Sequence, residues 1–257
     1  MYQLVKAAVF VTVTGTMSVC LTARLIMLTF TLRTNTKPKG WKPPSADRKP
    51  FLLSLKAQVS WLNLMIRSGV NAYRAEMHVM GERDYEADAG PVWCAQRFGQ
   101  SLTMLPDGRV VQVGGEHEDY YDSDFCIYND VFVHDREGGV TIYGYPESVF
   151  QPTDSHTTTL IGGHIYLIGS IGCQGTRRPR VTPVYRLDTV TFKMDCLETS
   201  GDNPGWIYRH RAEWVGGNVI RVTGGKVMTK AGGTDNTTAF VLDAASLSWS
   251  VDGHKRS

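Results

Sequence analysis

Hydrophobic and polar positions in the C-terminal two thirds of the chain follow one pattern three times. Each copy opens with a short segment, turns at a glycine, runs through an apolar strand and stops at two small residues. The copies read SLTMLPDGRVVQVGG at 101–115, TTTLIGGHIYLIGS at 157–170 and RAEWVGGNVIRVTGG at 211–225. The turn glycines Gly108, Gly163 and Gly217 lie 55 and 54 residues apart, and Gly115, Ser170 and Gly225 lie 55 and 55 apart. A constant period of this length marks an array of like units, none of which buries its apolar face alone. Beyond a variable loop each copy adds a second apolar strand closed by an aspartate, at 131–135, 184–188 and 239–243. Asp135, Asp188 and Asp243 are 53 and 55 residues apart, so the whole unit recurs and not the glycine turn alone. The near-continuous apolar runs around Val110 and Val113, from Ile165 to Ile168 and around Val219, Ile220 and Val222 predict strands covered on both faces. Asp-Gly and Gly-Gly at the hairpins predict tight two-residue or bulged turns.

The N-terminal third has a different pattern. Residues 7–32 are strongly apolar, with Arg24 the one charge among them. Three readings stand: a membrane span, for which about 20 apolar residues suffice; a pair of buried strands; and a signal peptide. The alternation of Val9, Val11 and Val13 with Thr12 and Thr14, and of Leu28, Phe30 and Leu32 with Thr29 and Thr31, favours strands within a segment spanning residues 1–33. Residues 34–50, rich in proline and basic side chains, read as a linker. Between 51 and 80 apolar residues recur at spacings of three and four, which predicts an amphipathic helix broken near Gly69. The region 51–90 is expected to lie against the repeats at 91–253.

Composition narrows the partners. The 27 basic and 25 acidic residues leave a formal net charge of +2, which gives no electrostatic reason to expect nucleic acid. The five cysteines are scattered and odd in number, without a CxxC pair, so they read as reduced thiols. Cytoplasmic placement is the expectation, with anchoring through residues 7–32 as its alternative. Nothing in the sequence calls for a cofactor, and the histidines share no zinc-ligand spacing with the cysteines.

The repeated unit resembles the kelch repeat: a strand opening near a histidine, a hairpin turn, an apolar strand ending in paired glycines, a long loop, a strand closed by aspartate, and a tryptophan about six residues on. The matching positions are Gly114, Gly115 and Asp135; His156, Gly169 and Asp188; and His210, Gly224, Gly225, Asp243 and Trp249. The chain departs from the pattern at Gln100, which stands where the later copies have His156 and His210, at Ser170, and at Thr141 and Met194 in the tryptophan position. The resemblance implies an all-β repeat domain, a partial kelch-type β-propeller of about three blades following an N-terminal strand and helix segment. It also implies an interaction module, with carbohydrate-binding or sugar-modifying enzymes as the alternative. Since closed propellers have four to eight blades, three readings stand: the N-terminal segment caps the array or adds a degenerate blade, the chain is a truncated form, or copies combine between subunits.

Binding in such an array belongs to the loops. The loop at 116–128 carries five acidic residues and three tyrosines, among them Tyr120, Tyr121 and Asp122. Its counterpart at 172–183 carries Arg177, Arg178 and Arg180. An acidic aromatic loop beside a basic one suits a protein or peptide partner. His156 and His210 have two readings: they converge on an anionic sugar or phosphate, or each satisfies backbone groups within its own blade. The sequence contains no G-x-S-x-G, Walker, H-E-x-x-H or dinucleotide motif, and Asp154 beside His156 lacks a third catalytic member.

Overall fold

The computed structural model describes residues 12–15, 28–34, 95–117 and 126–253. The helix expected in 51–80, the linker, most of the apolar N-terminal segment and the acidic tip that holds Tyr120, Tyr121 and Asp122 lie outside the described residues. The described part is all-β, a set of mainly antiparallel sheets of which none closes into a barrel. In chain order its strands are β1 (Thr12–Gly15), β2 (Leu28–Thr34), β3 (Ser101–Met104), β4 (Val110–Val113), β5 (Glu116–His117), β6 (Cys126–Ile127), β7 (Asp130–His134) and β8 (Val140–Gly144). Then come β9 (Thr157–Ile161), β10 (His164–Ile168), β11 (Val184–Asp188), β12 (Met194–Cys196), β13 (Ser200–Gly201) and β14 (Ile207–Tyr208). The last are β15 (Arg211–Gly216), β16 (Val219–Thr223), β17 (Lys226–Thr229), β18 (Gly232–Asp235), β19 (Phe240–Asp243) and β20 (Ser248–Val251).

Each sequence copy folds as one four-stranded antiparallel meander. The first unit is β3-β4-β7-β8, the second β9-β10-β11-β12 and the third β15-β16-β19-β20. The turns follow the glycines. Gly162 and Gly163 make a two-residue loop between Ile161 and His164, whereas Val215 bulges out of the register between Trp214 and Gly216. The closing aspartates cap the next hairpin. Asp135 Oδ1 accepts the Gly139 N–H, Asp188 Oδ1 accepts those of Val190 and Thr191, and Asp243 Oδ1 those of Ala245 and Ser246. Thr141, Met194 and Trp249 share one register position, opposite Val133, Leu187 and Leu242.

The units stack face to face, and alternation along the second unit's strands divides the core. Ile165, Leu167, Tyr185 and Leu187 join Val111, Val113, Val131 and Val133 of the first unit in one cluster. Tyr166, Ile168 and Val184, which point the other way, join Ile220, Val222, Leu242 and Trp249 of the third unit in another. This explains why 165–168 reads as an unbroken apolar run: both faces are covered.

The same bonds recur at both junctions. The Gly115 N–H donates to the Thr153 carbonyl at 2.8 Å and the Ser170 N–H to the Ile207 carbonyl at 2.9 Å. The Ser155 N–H reaches the Gly99 carbonyl and the Arg209 N–H the Ser155 carbonyl. A Cβ at Gly114 would collide with the Thr153 carbonyl, and one at Gly169 with that of Ile207, whereas one at Gly224 would meet nothing within 4 Å. Gly114 and Gly169 are thus where the next unit's backbone presses in, and Gly224 has no such neighbour among the described residues.

Extra strands lie along two outer edges. β2, itself antiparallel to β1, runs parallel to β8, pairing Phe30 with Val140 through Thr34 with Gly144. β13 runs parallel to β20, pairing Ser200 with Ser248 and Gly201 with Trp249. Two strands therefore occupy part of the apolar N-terminal stretch. Among the described residues no helix is long and apolar enough to cross a membrane.

Candidate interaction surface

The loops between second and third strands leave the three sheets at the same end, but they are built in two ways. In the third unit the loop is the hairpin β17–β18, whose strand β17 pairs with β14, the strand that leads into the unit. In the first unit β5 pairs with β6, and Glu116 bridges Phe98, which corresponds to Tyr208 of β14. In the second unit the loop forms only a single 3₁₀ turn, Gln174–Thr176, and keeps one equivalent bond, from the Ile171 N–H to the Asp154 carbonyl.

That second loop holds the three arginines. Arg177 is pinned to its own loop, with Nε donating to the Ile171 carbonyl at 2.9 Å and Nη2 to the Gly172 carbonyl at 3.0 Å. Arg178 and Arg180 are both exposed. Asp154, fully buried beneath this loop, accepts the Gly172 N–H through Oδ1, and burial raises its pKa.

Both histidines lie in the junctions. His156 Nε2 shares a hydrogen bond with Ser101 Oγ, and His210 Nε2 one with Thr157 Oγ1, each at 2.8 Å. Each histidine thus reaches a hydroxyl of the preceding unit, not the backbone of its own. Burial pushes their pKa values down, to about 3 for His156 and about 4 for His210, so both imidazoles are neutral at physiological pH. A neutral, covered ring with Nε2 engaged offers little to an anion.

The sequence aligned these histidines but gave no partner for them. The partners are the hydroxyl residues that open β3 and β9, one repeat earlier. A second shared device was also missed: the residue before each histidine position is left-handed, with φ of 62° at Gly99, 54° at Ser155 and 53° at Arg209. Only Gly99 signals this in its residue type. Near the first unit's start, Arg97 forms a buried two-pronged pair with Asp130 and stacks 3.6 Å from the Tyr128 ring centroid.

A groove of about 540 Å³ opens on the outer rim between the first two units. Tyr143, Tyr145, Pro146 and Val149 form one wall, and Phe192, Met194 and Cys196 the other. Tyr143 stacks on Phe192 at 4.6 Å between centroids, and the Tyr145 hydroxyl donates to the Phe192 carbonyl. Nothing in the repeat pattern pointed to this groove, because it depends on a connector whose sequence differs from unit to unit.

No protein-family model matches this chain, and no curated protein matches it. Among the described residues no group of three or more His, Cys, Asp or Glu side chains is placed to hold a metal ion, and Cys126, Cys173 and Cys196 are free thiols.

Proposed function

We propose that the chain is a partial kelch-type propeller that serves as a protein-interaction scaffold, holding a protein or peptide partner through the loops between second and third strands. The observation that carries this reading is the repetition itself: three like meanders with loops at one shared end, the middle one presenting Arg178 and Arg180 to solvent. Arginine on a rigid support is a common anchor for partners, and pinning Arg177 by two carbonyls lowers the ordering cost of its neighbours. A carbohydrate site built on His156 and His210 has less support, because both rings are engaged between units. The test is capture of binding partners by the full chain and by a variant with Arg177, Arg178 and Arg180 changed to alanine, followed by quantitative mass spectrometry. At least a tenfold drop for a reproducible partner is expected, and undiminished capture removes the basic loop from the reading.

A further inference from the structure

Of the three outermost strands, β8 and β20 each carry an added parallel strand, β2 and β13, whereas among the described residues β12 of the second unit pairs only with β11. The cause lies in the connectors. The chain leaving the second unit forms β13 along the edge of the third. The chain leaving the first unit instead turns, with the N–H groups of Val149 and Phe150 bonded to the Pro146 carbonyl, and stands off β12. The 540 Å³ groove is the gap between that connector and the bare edge. It falls within the usual range for a ligand site.

The edge is chemically ready for a strand. The Asp188 N–H donates to the Lys193 carbonyl and the Leu197 N–H to the Val184 carbonyl, so by antiparallel alternation Lys193, Asp195 and Leu197 turn their backbone groups towards β11. Met194 and Cys196 therefore turn theirs outward, where no described group meets them. Tyr143, Phe192 and Met194 give the groove its apolar lining, and Lys193 and Asp195, which pair with each other at 2.7 Å, also line it.

We propose that β12 is a strand-addition site, at which an extended peptide from a partner protein lies in the groove as β13 lies on β20. Main-chain bonds to Met194 and Cys196 hold it, and alternate side chains select it: apolar residues face Tyr143 and Phe192, and polar ones face Lys193 and Asp195. The occupant is extended because the equivalent edges of both sister units are filled by extended segments of this chain. This deepens the scaffold reading, and it rests on that reading's claim that the chain binds protein.

The test uses the full chain and a displayed library of random eight-residue peptides, with the tightest selected peptide resynthesised carrying a fluorophore. Alternating apolar and polar sequences are expected, together with at least tenfold slower hydrogen exchange at the Met194 and Cys196 amides when peptide is bound. Cys196→Pro removes an outward donor while sparing the bonds to β11, and it should weaken binding at least tenfold. Cys196→Ser should bind normally, and circular dichroism checks that both variants fold. Equal binding by Cys196→Pro, or no exchange protection at these amides, overturns the site. Amides already protected without peptide mean that the chain's own residues fill the groove, which also overturns it. Peptides lost by the triple arginine variant but kept by Cys196→Pro would sink this inference and leave the scaffold reading standing; loss of neither would count against both.

Discussion

The face that the second unit turns towards the third and the face that the third unit turns away from it are the same surface in backbone terms. They differ in chemistry. Where the second unit presents Tyr166 and Ile168, both buried, the third presents Arg221 and Thr223. Arg221 bonds Asp252 at 2.6 Å and Glu213 at 3.3 Å, forming a charged triad on the outer face. Where Thr157 shares a hydrogen bond with a histidine of the next unit, the third has Arg211, exposed. The backbone of the unit thus permits stacking on either side, and side chains at a few alternating positions decide which faces are dry.

The largest effect should come from exchanging these identities. Ile168→Arg places a charge without a partner in a closed junction and should cost about 4 kcal/mol in urea unfolding. Thr223→Ile should change stability by less than about 0.5 kcal/mol and instead promote self-association at high protein concentration, read by light scattering. Equal penalties for the two would abolish the distinction between the faces.

Acid should act on the junctions next. The folded-state pKa values of His156 and His210 lie near 3 and 4, below the ordinary 6.5, so the folded state binds fewer protons than the unfolded chain. Stability is level above about pH 6.5 and falls as pH drops below it, by up to about 1.4 kcal/mol per pH unit for each histidine. Urea midpoints between pH 6.5 and 5, above the range where most carboxylates titrate, should show this decline. A flat profile there would mean that the rings are not held neutral between the units.

A smaller loss is expected from Thr157→Val, which keeps the shape but leaves His210 Nε2 buried without its hydroxyl. The cost should be about 1–3 kcal/mol, and a variant indistinguishable from the parent would place His210 outside the junction. Arg221→Ala on the outer face should sharpen the comparison by lowering the urea midpoint less than any junction variant does, with the effect diminishing in high salt.

Local signals made much of the fold legible. Gly108, Gly163 and Gly217 mark hairpins, and the aspartates cap turns within a few residues of themselves, so sequence spacing suffices to find them. The unbroken run from Ile165 to Ile168 announced two covered faces because period-two alternation leaves no polar side. Relations between units were harder. Ser101 and His156 are 55 residues apart, and neither type alone requires the other. The left-handed turns at Ser155 and Arg209 occupy residues that usually avoid that conformation, so composition hid them. The bare edge of β12 results from how residues 145–150 turn, which no repeat predicts. Of the candidate binding residues, Arg177 turned out to be engaged within its own loop, and the histidines between sheets.

The wedged position of the second sheet also governs time. With Ile165 and Leu167 in one cluster and Tyr166 and Ile168 in the other, this sheet cannot open until a neighbour has left. Each flanking sheet has one described junction to break, so the central amides of β10 and β11 are expected to exchange only after a larger and rarer event. The middle unit is therefore expected to be the slow clock of the molecule, its amides the last to exchange.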